Sequence, residues 1–381
     1  MTDATGEVQG SCDERFEQVR TAFQKNFDDE LDVGASVAVY LEGEPVVDLW
    51  GGFVDEARTI PWQRDSITNV WSTTKTMTNL CALILADHGE IDLHAPVATY
   101  WPEFKVNDKE RIEVRHLLSH TSGLAGWEEP ITVEDLYDWE KATSLLAAQK
   151  PWWEPGTASG YHALTQGYLV GEVVRRVTGQ SLGTFFAREV AGPLGGDFLI
   201  GLPEADDART VPVITPTTAI LDQVTITNPL LTKTFTNPLL SPEVSWEKPW
   251  RRAEIPAANG QSNARGVAAV QSIVSNLGEA RGVRLLSERG CRAIFEEQSN
   301  GEDVVLNVPL RFGMGYGLGN ETVPIGPNAC FWGGLGGSIV VSDLDYRLTV
   351  AYVMNRMEVG LLGDVRGMSL ALAAALSVAQ G

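Results

Sequence analysis

The segment "NVWSTTKTMTNL", residues 69–80, sets Ser72 three positions ahead of Lys75 at the start of an apolar helical pattern. Positions i and i+3 of a helix share a face, so the lysine amine reaches back to the serine hydroxyl. A serine hydroxyl is a weak nucleophile until a neighbouring base takes its proton, and a desolvated lysine of lowered pKa is such a base. Backbone N–H groups at a helix start favour the negative charge that develops there. The same four residues also describe a capping serine followed by a solvated lysine. With 20 serines and 8 lysines in 381 positions, about 0.4 S-x-x-K matches arise by chance. A second copy, Ser245 to Lys248, runs at once into Pro249 within a Trp/Pro-rich stretch and is read as a chance match.

Other spacings invite chemistry and are read as structural. Gly179 to Gly183, "GQSLG", matches G-x-S-x-G, but that motif needs a strand before its serine and here a helical pattern precedes it, so Ser181 reads as a helix cap. His116 and His120 in "HLLSH" have the i, i+4 spacing of two metal ligands without the glutamate of H-E-x-x-H or an evident third ligand, and no metal site is expected. His88, before Gly89, suits the end of a helix. No phosphate-cradling glycine loop appears, so no nucleotide cofactor is implied, and none of any other kind is expected. Of the 11 tryptophans, Trp127, Trp139, Trp152, Trp153, Trp246 and Trp250 fall in the middle of the chain, where some serve the core and others suit an apolar or aromatic cleft.

The elements that must position these residues follow from periodicity. Residues 12–30 predict an amphipathic helix through Phe16, Val19, Phe23 and Phe27, and Val37 to Leu41 with the stretch from Val46 predicts a hairpin turning at Gly43 to Pro45. The far end mirrors this, with a hairpin around Asp343 to Asp345 and then a terminal helix. One antiparallel sheet built from both ends of the chain and covered by helices is the natural reading, an α+β fold. Helical stretches at 73–88, 133–148, 164–178, 181–190 and 263–277, parted by Gly/Pro turns, predict a mainly helical insertion. The expected division is 1–70 plus 301–381 for the sheet domain and 71–300 for the helical one, with the site at their interface. "TNPLL" occurs at Thr227 to Leu231 and at Thr236 to Leu240, and reads as paired turns in an irregular loop or as a lid or substrate-pocket rim.

Composition narrows the partners. An apolar fraction of 44% suits a folded core, and a formal charge of −21 argues against nucleic acid and acidic membrane surfaces. No run reaches the ~18–20 apolar residues of a membrane span, and the first residues lack the basic and apolar regions of a signal peptide. Cys12, Cys81, Cys291 and Cys330 are widely spaced, which fits free thiols and a cytoplasmic protein.

Ser72 to Lys75 together with "HLLSHTSGL" at 116–124, "EPGTASGYHALTQGYLVGEVVRRVTG" at 154–179 and "FWGGLGGSIVVSDLDYRL" at 331–348 resembles the serine β-lactamase and penicillin-binding protein superfamily. The resemblance is to its class C-like esterases, the family VIII carboxylesterases, and covers about residues 35–375. It implies a serine β-lactamase/DD-peptidase-like fold, in which a sheet made from both ends of the chain carries a helical insertion, the arrangement that periodicity also predicts. It also implies that Ser72 is the acylated nucleophile, that Lys75 activates it, and that Tyr161, first residue of a Y-x-N-like Tyr161-His162-Ala163, shares the proton transfer, a cationic neighbour lowering its pKa. Trp332, Gly333 and Gly334 stand where the lactamases have K-T-G, and the Leu335 amide joins that of Ser72 as an oxyanion hole. Trp332, Gly333, Gly334 and His162 are the expected substrate-binding residues.

Trp332 cannot supply the lactamase lysine's cation, and the Ala163 side chain offers none of the polar atoms of the usual asparagine. Arg265 and Arg311 are the remaining candidate cations, and nothing local places either at the site. The departures point away from β-lactams and peptides and toward uncharged, short-chain or aromatic esters as small-molecule substrates. A β-lactamase, amidase or acyltransferase using the same three residues, and a non-catalytic binding protein on the same fold, are the alternatives.

Overall fold

The computed structural model describes residues 7–216 and 228–379. Its main sheet has nine antiparallel strands: β1 (Gln9–Cys12), β2 (Gly34–Leu41), β3 (Glu44–Gly52), β4 (Ser299–Glu302), β5 (Pro309–Phe312), β6 (Gly317–Leu318), β7 (Ala329–Gly333), β8 (Ile339–Asp343) and β9 (Leu348–Met354). Their order is β1-β3-β2-β9-β8-β7-β6-β5-β4. The two hairpins predicted at opposite ends of the sequence therefore meet in mid-sheet, where Val37 faces Tyr352 and Val39 faces Val350 across β2 and β9. Both strands are buried almost throughout, which fits their near-continuous apolar sequences.

Seven α-helices of eight or more residues occur among the described residues: α1 (Glu17–Asp28), α2 (Thr74–Asp87), α3 (Trp139–Ala148), α4 (Thr165–Thr178), α5 (Pro229–Thr236), α6 (Ala264–Ser275) and α7 (Val365–Ala379). Because successive strand residues point to opposite faces, the sheet is covered on both. Tyr352 and Ile339 face α7, where the missing side chain of Gly367 lets the helix settle on them, and α1 packs beside α7. Ser342 and Thr349 face the other way and donate to Gln271 O of α6. The helix expected at 263–277 as part of the insertion thus lies on the sheet, its first amide bonded to Ser36 Oγ of β2. Its long run of buried small and β-branched residues suits a flat strand surface.

α2 is buried on every side except its last turns, and its polar residues are satisfied internally. Thr78 Oγ1 donates to Pro256 O, and Asn79 Nδ2 to Gly315 O. The predicted helix at 133–148 is split, because Asp138 caps α3 with its carboxylate on Lys141 N–H and only a 3-10 turn, Glu134–Tyr137, precedes it. The stretch at 181–190 is a short α-turn that widens into a π-turn, Phe186–Ala191. Of the two "TNPLL" copies, Thr227 lies outside the described residues. The rest of the first copy opens α5, with Asn228 as cap and Pro229 in the first turn, where its missing N–H costs nothing.

Candidate active site

A short strand, Ile67–Asn69, leads into a 3-10 turn, Trp71–Thr73, that carries Ser72 and runs on into α2. Trp71 has φ +48°, in the left-handed region that disfavours a bulky residue. Its position is over-determined: Thr74 Oγ1 donates to its carbonyl at 2.5 Å and its ring packs on Trp250.

Lys75 lies one turn on, 1% exposed. Its Nζ is 3.0 Å from Ser72 Oγ, 2.7 Å from Ala163 O and 3.0 Å from Ala257 O. Among the described residues no carboxylate pairs with it, and burial holds its pKa well below the ordinary 10.5. Tyr161 O–H donates to the same Ser72 Oγ at 2.6 Å. Its phenol is buried, and burial pushes its pKa up while the bond to Ser72 opposes the shift. The lowered tyrosine pKa expected from a cationic neighbour is not found, because desolvation acts on both groups and favours a neutral amine beside a neutral phenol. Asp303 Oδ1 accepts from Tyr161 N–H at 3.0 Å, and also from the amides of Val305 and Leu306.

The end of β7 closes over the serine turn. A side chain at Gly334 would stand 2.3 Å from Val70 O and 2.4 Å from Ser338 Oγ, so only glycine permits the approach. Ser338 Oγ donates to Val70 O at 2.9 Å and meets Thr73 Oγ1 at 2.9 Å, fastening the loop to the serine turn. A side chain at Gly333 would fall 2.2 Å from the Leu362 backbone. The Leu335 N–H, between these two fastenings, has no acceptor among the described residues. Trp332 is buried, its ring near those of Tyr161, Phe312 and His120, and its indole works with Ser72 to hold down the Tyr161 pKa that burial raises. Trp332, Tyr161 and Phe312 form, with Ala125, Leu231, Val305 and Leu310, a second apolar cluster, separate from the main core, with Trp152 and Trp153 packed against it.

The remaining candidates sort by their partners. His162 is fully buried, with Nδ1 donating to Gly160 O at 2.6 Å and Nε2 met by Ser122 Oγ at 2.7 Å and Leu124 N–H at 3.3 Å. Both ring nitrogens are committed within the protein, contrary to the expected substrate contact, and burial lowers its pKa to about 3. His120 Nδ1 accepts from His162 N–H, and His116 Nδ1 from Glu113 N–H, so "HLLSH" braces the Tyr161 segment and a helix start. Ser181 caps the following turn and donates to Glu254. Ser245 donates to Pro242 O, while Lys248 points to Asp207. Arg265 pairs with Asp48 and Arg311 with Glu297. Asp303, Ser338 and the carbonyls of Ala163 and Ala257 were not singled out from sequence, since a carbonyl is common to every residue and a lone Asp or Ser has no signature spacing.

The Beta-lactamase family model matches residues 23–375. A family VIII carboxylesterase of known structure is 42% identical with a TM-score of 0.92, covering 97% of this chain and 100% of that one. A penicillin-binding protein homolog from Caulobacter crescentus is 36% identical, also at 0.92, with 97% and 100% covered. The esterase/beta-lactamase LipL of Mycobacterium tuberculosis is 38% identical over 374 residues, 93% of this chain and 84% of its own length. With the matched model reaching from α1 into α7 and the Ser72, Lys75 and Tyr161 groups converging on one hydroxyl, this chain belongs to the Beta-lactamase family.

Proposed function

We propose that the protein is a cofactor-independent serine carboxylesterase that hydrolyses uncharged, short-chain or aromatic esters through an acyl-enzyme on Ser72. The observation that carries this reading is the directed set of bonds around Ser72 Oγ. A neutral Lys75 amine has two hydrogens and one lone pair. Giving the hydrogens to Ala163 O and Ala257 O leaves the lone pair for the Ser72 hydroxyl, while Tyr161 donates to the same oxygen.

Ser72 Oγ attacks the ester carbonyl carbon as its proton passes to Lys75 Nζ. The Ser72 and Leu335 amides take the oxyanion. Collapse breaks the bond to the alkoxide, which takes a proton from Tyr161, and Tyr161 recovers one from the Lys75 ammonium. Water then attacks the acyl carbonyl, gives its proton to the same pair, and releases Ser72 and the carboxylic acid. Trp332, Gly333 and Gly334 border the bound ester, with the Trp332 ring packed on that of Tyr161. The apolar cluster beside Tyr161 contributes no cation, which favours uncharged esters over β-lactams with their carboxylate. No helix among the described residues is long and apolar enough to cross a membrane. The four free cysteines suit a reducing compartment, so we read the protein as cytoplasmic, with small esters rather than nucleic acid or membrane as its partners.

Intact-protein mass spectrometry during turnover of p-nitrophenyl acetate tests this. A transient acetyl adduct on Ser72, with more than one equivalent of nitrophenol released, is expected for wild type, and neither for Ser72→Ala. Equal release from both proteins without an adduct would overturn the reading.

A further inference from the structure

The repeated "TNPLL" has an explanation that the chemistry at Ser72 does not use. Its two asparagines, Asn228 and Asn237, bracket α5 nine positions apart and clamp it to two different loops. Asn228 Oδ1 caps the helix on Leu230 N–H, while its Nδ2 donates to Val304 O at 2.8 Å, Val305 O at 2.9 Å and Asn307 Oδ1 at 2.9 Å. That loop is the one Asp303 ties to Tyr161. Asn237 Oδ1 accepts from Ile131 N–H at 2.9 Å, and its Nδ2 donates to Trp127 O and Glu129 O, each at 2.9 Å. Gly126, in this second loop, makes room for the Trp152 ring, which a side chain there would meet at 2.7 Å.

A helix held at both ends cannot drift, and its inner face lies on the apolar cluster. Leu231 is buried there with Tyr161, Phe312 and Trp332. Phe235, one turn later and half-buried, has its ring centroid 6.4 Å from that of Tyr161, whose hydroxyl holds Ser72.

Resting on the esterase reading above, we propose that α5 is a fixed wall limiting the length of the ester's apolar group. Phe235 and Leu231 determine specificity, and Asn228 and Asn237 are positioning residues. A pocket wall discriminates single methylenes by roughly 10–200-fold, so truncating it should change the dependence on chain length.

The test is kcat/KM across two series, p-nitrophenyl acetate to octanoate and methyl to octyl acetate, with Ser72 acylation followed by mass spectrometry. Phe235→Ala is expected to raise the long-to-short ratio in one series by about tenfold or more. Phe235→Trp is expected to lower it, and gives the answer should the alanine variant misfold. Asn237→Ala, with Phe235 intact, is expected to flatten the length dependence, a change that lost stability alone would not produce. Unchanged ratios in both series for both Phe235 variants, with Ser72 still acylated, would overturn the wall and leave the esterase reading standing. No acylation of wild-type Ser72 would overturn both.

Discussion

A lysine that is to accept a serine proton must itself be unprotonated, and at Lys75 burial does what no partner charge opposes. The amine's ordinary pKa is 10.5 and the fold lowers it, so the active fraction grows as pH rises through the lowered value. Tyr161 is shifted upward by the same burial and stays a phenol well above neutrality. The expected kcat/KM profile on a short ester is therefore a single acid limb rising to a plateau, without loss through mildly alkaline pH. A rate that falls between pH 6 and 9 would contradict the assignment of Lys75 as base. Stability follows with the same sign: between the lowered and the ordinary value only the unfolded chain holds the proton, so the penalty for burying this amine fades as pH rises. The convergence of Ser72, Lys75 and Tyr161 on one hydroxyl was legible because motif context surrounds each of them. Ala163 was legible only as a missing asparagine, whereas its carbonyl is one of the two that aim the lysine, a role no residue type announces.

At the scale of elements, the loop from β7 to β8 is packed closely on the serine turn. It is fixed by Ser338 at Val70 and by Arg366 Nη2, which donates to Gly336 O at 2.8 Å. Gly334→Ala would force a methyl group to within 2.3 Å of Val70 O and move the Leu335 amide off the serine turn. A loss of about 10²–10³-fold in kcat is expected, the size of losing one oxyanion donor, together with about 1–3 kcal/mol of overpacking. Steady-state kinetics beside thermal unfolding would check it; wild-type kcat would show that this loop does not hold the oxyanion. Periodicity located most helices, because their buried faces repeat every three to four residues. It failed where side chains interrupt the backbone, as Asp138 does before α3, and where Pro229 suggested a turn but occupies a helix's first turn. The helix on the sheet was identified as a helix but assigned to the wrong layer, since an apolar stripe does not say what it will pack against.

At the scale of the whole molecule, one buried ion cluster joins distant parts of the chain. Arg366 Nη1 donates to Asp32 Oδ1 at 3.0 Å and Nη2 to Asp364 Oδ2 at 2.6 Å, with Tyr352 O–H on the same Asp32 oxygen. The arginine and Asp32 side chains are 1% and 0% exposed. Arg366→Ala would strand two carboxylates, one of them fully buried, and is expected to cost about 3–5 kcal/mol in urea unfolding; a change under about 1 kcal/mol would mean that the cluster is not a structural anchor. The mirrored hairpins made one sheet legible from sequence, since neither could cover an apolar face alone. The cluster was not legible, because its members are scattered singly. The same central pairing has a consequence for synthesis. Gly34 is bonded to Asn355, 321 residues later, and at roughly 5–20 residues per second a ribosome needs about 15–65 s to supply the partner. Through that interval the β9-facing edge of β2 is open, and Ser72 has left the ribosome long before the Leu335 amide exists. On the proposed esterase reading the serine is thus made early and armed late, and hydrolytic competence is expected to arrive with the closing of the sheet.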